Sequence, residues 1–162
     1  MDFTYTQEQL ELQSVAREFA NKEMVPVAAE MEEKSMPLPK EWLKKYSDMG
    51  FLGINVDQKY GGLGLSNLEA LLVMEEFAKI SSAVAFPIFE SCVGPVKAIE
   101  HFASEDLKMR VIPEICKGNI IVAVSMSEPN AGSALTDLTT KAELKNDKVI
   151  INGTKRWCSG GG

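Results

Sequence analysis

The amino-acid sequence predicts an α+β fold, in which an all-α N-terminal helical domain is followed by the first strands of an antiparallel β domain (truncated). Two observations predict this order. Through residues 1–118, apolar residues recur at helical spacing behind polar capping residues. From residue 119 onward, β-branched residues and short turn signals replace that pattern. The predicted domains are therefore residues 1–118 and 119–162.

The first two predicted helices are marked by their ends. Thr6–Gln9 matches a capping box, in which the first and last side chains satisfy backbone amides of the first turn. An apolar stripe then continues to around Met31, with a kink expected at Pro26. After two further prolines, a second helix is predicted over Lys40–Met49, with Gly50 as its terminating residue.

A third helix follows a glycine-containing loop at 51–65. Ser66 and Glu69 form a second capping box that opens it. Four of its apolar residues are predicted to share one face: Leu68, Leu71, Leu72 and Phe77.

Two more helices complete the predicted helical domain. The fourth is rich in small residues and covers roughly Ser82–Phe102, with interruptions at Pro87 and Pro95. Ser104 caps the fifth, and Gly118 ends it. About five helices are therefore expected before the β region.

The β region is predicted from short β-branched or alternating runs between turn signals. The three runs are Ile120–Val124, Leu138–Leu144 and Val149–Ile151. Asn146-Asp147 is expected to turn the chain between the last two. Asn152-Gly153 is a second hairpin signal, leading into a further strand that runs through Trp157.

Composition and charge argue against several functions. A net charge of −6 with dispersed lysines disfavours nucleic-acid binding. No apolar run approaches the ~18–20 residues of a membrane span, and no secretory signal is visible, so a cytoplasmic location is expected. Cys92, Cys116, Cys158 and the single His101 lack metal-ligand spacing. We therefore predict reduced thiols and no metal site.

The chemically informative stretch begins at Ser127. Ser127–Ser133 supplies hydroxyls, amides and a glycine in one loop, which suits a polar, flat or phosphorylated ligand. Trp157 and Ser159 would share one face of a strand and could hold a heteroaromatic ring beside that loop. A buried core tryptophan is the simpler alternative for Trp157.

These motifs resemble those of the acyl-CoA dehydrogenases. Ser127–Ser133 is similar to the family's [Ser/Thr]-Glu-Pro-x-Ala-Gly-Ser-Asp motif, and Asn152–Trp157 to the first six residues of Asn-Gly-x-Lys-x-Trp-Ile-Thr-Asn. Lys59–Gly64 resembles the Tyr-Gly-Gly-x-Gly loop. The resemblance covers essentially the whole chain and implies the N-terminal helical domain plus the start of the middle β domain.

The resemblance implies FAD as the cofactor. By that analogy, Ser127 and the backbone of Met126 contact the pyrimidine side of the flavin. Trp157 packs against the isoalloxazine, and Ser159 hydrogen-bonds near N5. Ser133 lies along the CoA part of an acyl-CoA substrate.

The implied activity is FAD-dependent α,β-dehydrogenation of an acyl-CoA thioester in fatty acid metabolism, by a homo-oligomer that passes electrons to an electron-transfer flavoprotein. The family's catalytic base is a carboxylate of the C-terminal helical domain, so the isolated 162-residue chain is expected to be inactive. Acidic helix residues are instead interpreted as mostly solvated: Glu75, Glu76, Glu90 and Glu100. Glu128 is given a structural role in its turn.

Departures from the family pattern leave alternatives open. Ala134 stands where the motif has Asp, and Cys158 and Gly160 replace Ile and Asn. One alternative is another flavin enzyme on the same scaffold: an acyl-CoA oxidase, a nitroalkane oxidase or an enzyme working in the reductive direction. The other is a non-catalytic fragment or assembly module.

Overall fold

The computed structural model of the chain describes residues 4–161. Its contacts divide it into two units, one up to Val122 and one from Ala123 onward. Within the described part, the first unit contains seven α-helices: α1 (Gln7–Phe19), α2 (Val25–Lys34), α3 (Lys40–Asp48), α4 (Asn67–Ala78), α5 (Ser82–Cys92), α6 (Pro95–Phe102) and α7 (Glu105–Cys116).

The first predicted helix is present, and its regular geometry is interrupted just before Pro26. The Thr6 hydroxyl accepts from Gln9 N, and the Gln9 side chain accepts from Thr6 N, which confirms the capping box. A π-helical turn at Ala20–Met24 separates α1 from α2, where Pro26 occupies the first turn. Proline lacks an N–H group, so regular hydrogen bonding cannot continue through this position.

The loop after α3 is buried. Helix α3 ends close to the predicted residue, and Gly50 follows it with a φ of +74°. Phe51, Ile54 and Val56 are all fully buried. The loop can fold back because Gly62 has no side chain: a Cβ there would lie 2.2 Å from the Val56 carbonyl oxygen. The glycines therefore serve chain packing in this loop, as the absence of a nucleotide-binding context predicts.

Helix α4 has the predicted cap, but a different face is buried. Ser66 and Glu69 form the capping box. Leu68 and Leu71 are exposed, and the buried residues of the helix include Val73 instead. The reason is that α4 packs against both α1 and α5, so its buried surface is set by two neighbours.

The small-residue segment forms two helices. Pro87 lies inside α5 without ending it, and the break falls at Gly94, directly before Pro95. By length and composition, Ser82–Phe102 is apolar enough to cross a membrane, with a mean hydropathy of 1.2. The expectation that no apolar run approaches this length is therefore too strong. Core helices pass the same test, and half of this segment is buried inside the protein.

Four aromatic rings form the centre of the helical unit. Phe19, Tyr46, Phe51 and Phe77 meet with ring centroids 5.0–6.0 Å apart, mostly edge to face. The Tyr46 hydroxyl donates to the Val84 carbonyl at 3.0 Å. Burial raises the pKa of Tyr46, so this hydroxyl stays protonated and remains a donor.

Two glutamates predicted to be solvated are buried. Glu76 accepts two hydrogen bonds from Arg17 and a further one from Lys79, and its side chain is 2% exposed. Hydrogen bonding to Arg17 lowers the pKa of Glu76. Glu90 is 4% exposed, and its Oε1 has no hydrogen-bond partner among the described residues. The prediction was wrong because helical spacing does not show which acidic residues face a neighbouring helix.

The second unit contains a two-stranded antiparallel sheet. Strands β1 (Lys141–Lys145) and β2 (Lys148–Asn152) pair in register, with Lys141 opposite Asn152. The turn residues Asn146 and Asp147 have φ values of 49° and 58°, as a type I′ turn requires, which confirms the predicted turn.

Two predicted strands are not formed in the described residues. Ile120–Val124 has no ladder partner there, and a strand needs one to satisfy its backbone. Asn152-Gly153 does not turn the chain into a strand through Trp157. Instead, the backbone at Gly153 passes close to Thr140. Only a glycine fits there, because a Cβ would lie 2.1 Å from Thr140 Oγ1.

We predict that Tyr46→Phe lowers the free energy of unfolding by about 1 kcal/mol, because it removes the hydrogen bond to the Val84 carbonyl while retaining the ring. Urea unfolding measures the change. Tyr5→Phe is the matched control, since Tyr5 is exposed, and we expect no measurable effect there. Equal stabilities of the Tyr46 variant and the wild type would show that the hydrogen bond to the Val84 carbonyl does not stabilise the fold.

A second prediction concerns Glu90. Burial raises the pKa of its carboxyl to about 7, above the value of 4.5 expected in the unfolded chain. The uncharged carboxyl thus favours folding below pH 4.5, and this contribution is lost as pH rises through about 7. The effect of Glu90→Gln on the free energy of unfolding should therefore be more favourable at pH 8 than at pH 4, by about 3 kcal/mol. Urea unfolding of Glu75→Gln at both values is the control, because Glu75 is exposed. A pH-independent effect of Glu90→Gln would contradict the prediction.

Candidate functional site

An open groove of about 750 Å³ lies within the second unit. Two separate stretches line it: residues 126–133 with Leu135, and the pair Arg156 and Trp157. These are the same two stretches that carry the sequence motifs. The groove is the candidate functional site.

Glu128 connects the lining loop to the start of the β-hairpin. Its carboxylate accepts hydrogen bonds from the Thr139 backbone N and Oγ1, both at 2.7 Å, and from the Thr140 backbone N at 2.9 Å. Lys155 donates a further bond at 2.9 Å. Bonds from Thr140, Thr139 and Lys155 hold the pKa of Glu128 far below its usual range. Glu128 is therefore an ionised structural anchor, as its predicted place in the turn suggested.

The two motif stretches are joined directly. Lys155 Nζ lies 2.9 Å from the Met126 carbonyl oxygen and 2.9 Å from Glu128 Oε1. The Arg156 backbone N donates to the Ser127 carbonyl at 2.8 Å. Residues 155–156 therefore hold residues 126–128 at three points, although 29 positions separate Met126 from Lys155 along the chain.

The apex of the loop is closed by a reciprocal backbone pair. Glu128 N donates to the Ala131 carbonyl at 2.8 Å, and Ala131 N donates to the Glu128 carbonyl at 3.2 Å. This pairing leaves Pro129 and Asn130 exposed at the turn, while Ala131 is buried beneath it. Asn130 and Ser133 both line the groove.

Four of the five predicted site residues line this groove. Met126, Ser127, Ser133 and Trp157 are among its walls. Ser159 is exposed but is not one of them. Their roles toward a cofactor or substrate remain predictions.

Trp157 is placed differently from both sequence expectations. It lies in no strand and has a φ of +59°. The Ser159 backbone N donates to the Trp157 carbonyl at 3.0 Å, so the chain bends there and the two side chains do not share a strand face. Within the described residues Trp157 is not part of a core, because it is 84% exposed there. The exposed indole of Trp157 is therefore one of the groups that line the groove.

Sequence reasoning missed the parts played by Lys155 and Arg156. The sequence places both residues inside the Asn152–Trp157 motif and gives neither a role of its own. The available signal was a lysine and an acidic residue in two motifs of one site, which form an ion pair when the motifs meet. Spacing alone could not show that the same lysine also reaches the Met126 carbonyl.

Residues 6–119 match the family model described as acyl-CoA dehydrogenase, N-terminal domain. The chain belongs to the acyl-CoA dehydrogenase family. The fold agrees, since a helical domain precedes antiparallel strands as the resemblance implied.

Individual relatives include enzymes of different names. An acyl-CoA dehydrogenase of Bacillus subtilis is 36% identical over 157 residues, covering 97% of this chain and 41% of the relative. An acryloyl-CoA reductase (NADH) of Anaerotignum propionicum is 35% identical over 164 residues, covering 100% of this chain and 41% of the relative. The chain thus spans about two fifths of the length of these relatives.

Solved structures show the same architecture. A chain in the structure of an electron transferring flavoprotein of Acidaminococcus fermentans superposes with a TM-score of 0.91 at 30% identity, covering 99% of this chain and 42% of the other. An acyl-CoA dehydrogenase complexed with FAD, from Bacillus anthracis, gives a TM-score of 0.85 at 25% identity, covering 95% of this chain and 26% of the other.

The groove has the chemistry expected of one side of a flavin site. It combines an uncovered indole surface with the hydroxyl groups of Ser127 and Ser133 and the amide of Asn130. An aromatic plane suits a flat ring system, and polar groups suit its heteroatom edge. The residues present therefore fit part of a flavin.

We predict that Glu128→Gln speeds hydrogen exchange of the Thr139 and Thr140 amides by roughly 10-fold or more, because bonds to a charged acceptor are the stronger ones. Amide exchange followed by mass spectrometry or NMR measures this. Glu143→Gln is the matched control, since Glu143 makes only an exposed ion pair with Lys145. Unchanged exchange in the Glu128 variant would show that its carboxylate does not anchor the hairpin.

Proposed function

We propose that this chain provides the helical domain and part of the flavin-binding surface of an FAD-dependent acyl-CoA dehydrogenase. The reaction is α,β-dehydrogenation of an acyl-CoA thioester. The observation that carries the proposal is the junction of two separate motifs at one groove, where Met126, Ser127 and Trp157 lie together.

FAD, when bound, supplies the acceptor for a hydride leaving the β-carbon of the substrate. The chain's own residues would bind and orient. Ser127 and the Met126 backbone would contact the pyrimidine edge, and Trp157 would cover part of the ring. Ser133 would lie along the CoA moiety. Ser159 does not line the groove, so the chain around it would have to move before its hydroxyl could hydrogen-bond near the flavin N5. Such contacts position the reacting atoms and do not exchange protons with the substrate.

The groove offers no suitable base for the α-proton. Glu128 is the one carboxylate among the described residues that line it. Four hydrogen bonds and a depressed pKa make Glu128 a poor proton acceptor. We therefore propose that a carboxylate outside this groove removes the proton, and that the 162-residue chain alone does not turn over.

The electron acceptor and the setting of the enzyme are part of the proposal. The likeness to a chain of an electron transferring flavoprotein structure supports transfer to such a carrier. A cytoplasmic homo-oligomer acting in fatty acid metabolism is the arrangement we propose. Oxygen as the acceptor, as in an oxidase, is the alternative that the assay below separates.

A second candidate is the reverse reaction. The 35% identity to an acryloyl-CoA reductase (NADH) favours it specifically, because that relative is named for reduction of an enoyl thioester. The same groove would serve both directions, since hydride transfer between substrate and flavin is reversible in principle. Turnover therefore has to be measured with both saturated and enoyl thioesters to decide the direction of the reaction.

We predict that saturated acyl-CoA thioesters, added without oxygen to the intact natural protein, bleach its flavin absorbance. The physical reason is that the substrate's β-hydrogen is transferred to the flavin. Turnover with an artificial electron acceptor should exceed turnover with oxygen, and the 162-residue chain alone is the control that should show neither. Failure of every saturated thioester, with NADH-dependent reduction of enoyl-CoA, would assign the reductive direction instead. Failure of both would contradict the proposed function.

A further inference from the structure

Lys155 makes two contacts inside the second unit, one to a buried carboxylate and one to a backbone carbonyl. Its side chain is 25% exposed, and its partner Glu128 is 3% exposed. Its ammonium also donates to the Met126 carbonyl at 2.9 Å. A lysine has three donors on a flexible stem, so one ammonium can hold a carboxylate and a carbonyl together.

The bond to the Met126 carbonyl has a consequence for the next residue. A trans peptide unit is planar, so the Met126 C=O and the Ser127 N–H point in opposite directions. Fixing the carbonyl toward Lys155 therefore fixes the direction of the Ser127 N–H. That N–H has no acceptor among the described residues, while Ser127 lines the groove.

The neighbouring peptide units are fixed as well. The Ser127 carbonyl accepts from Arg156 N, and Glu128 N donates to the Ala131 carbonyl. Among the backbone groups from Met126 to Glu128, the Met126 N–H and the Ser127 N–H thus have no acceptor in the described residues. Of these two donors, the Ser127 N–H belongs to the peptide unit whose carbonyl Lys155 holds, so its direction is fixed and it is placed to bind a ligand.

We propose that Lys155 is a positioning residue for the cofactor: it orients the Met126–Ser127 peptide so that the Ser127 N–H donates to the heteroatom edge of the flavin. Lys155 itself touches no reacting atom. The inference rests on the proposed function, because it requires flavin at the groove, but it assigns a role to a residue outside the predicted contact set.

The test uses Lys155→Met in the intact natural protein, which retains most of the side-chain length and removes the donors. We expect FAD affinity to fall roughly 10-fold or more, as loss of charge-assisted hydrogen bonds implies. We also expect the visible bands of the bound flavin to shift and its reduction potential to fall, because a donor at the pyrimidine edge stabilises the reduced form. Lys145→Met is the matched control, since Lys145 pairs only with exposed Glu143. Its affinity and spectrum should equal those of the wild type.

The outcomes are separable. Lys155→Met with wild-type affinity, spectrum and potential would overturn the positioning role and leave the proposed function standing. A loss of affinity with an unchanged spectrum and potential of the residual bound flavin would also overturn it, because a merely structural role predicts that result. A wild-type protein that binds no FAD would remove the proposed function and this inference together. Should Lys155→Met not fold, Lys155→Leu, which also lacks a donor, is measured in the same way, with the same expected shifts and the same overturning result.

Discussion

Glu128 accepts hydrogen bonds from both ends of the β-hairpin, and the arrangement of the groove depends on them. Thr139 and Thr140 precede β1, and Lys155 follows β2. A buried carboxylate with fewer partners would be costly, because an ionised group removed from water must be compensated by hydrogen bonds and opposite charge. Here the charge is compensated by Lys155 and by backbone donors, so one side chain fixes three segments that are distant in sequence.

The same principle operates in the helical unit through different groups. Glu76 is buried because Arg17 and Lys79 satisfy it, and it links α1 to α4. Glu90 is buried without such partners, and it accommodates burial through a raised pKa. Two acidic residues on neighbouring helices thus meet the cost of burial in opposite ways, one by pairing and one by remaining uncharged.

Local features of the fold were predictable from sequence because they depend on neighbouring residues. The capping residues Thr6 and Ser66 and the Asn146-Asp147 turn all act within a few positions. Features set by distant segments were not predictable. The burial of Glu90 depends on how helices pack, and the close approach of Gly153 to Thr140 depends on how the chain passes the start of the hairpin. For the site, motif recognition located the lining residues, but the bridge that joins them required the three-dimensional structure.

The groove lined by residues 126–133, Leu135, Arg156 and Trp157 is proposed to be one side of a flavin site. The most direct measurement is the visible absorbance spectrum of the purified intact natural protein, with its intact mass recorded from the same sample. We predict the absorbance bands of oxidised flavin at close to one equivalent per chain, retained after buffer exchange. A colourless protein that acquires no flavin bands on addition of FAD would contradict the claim.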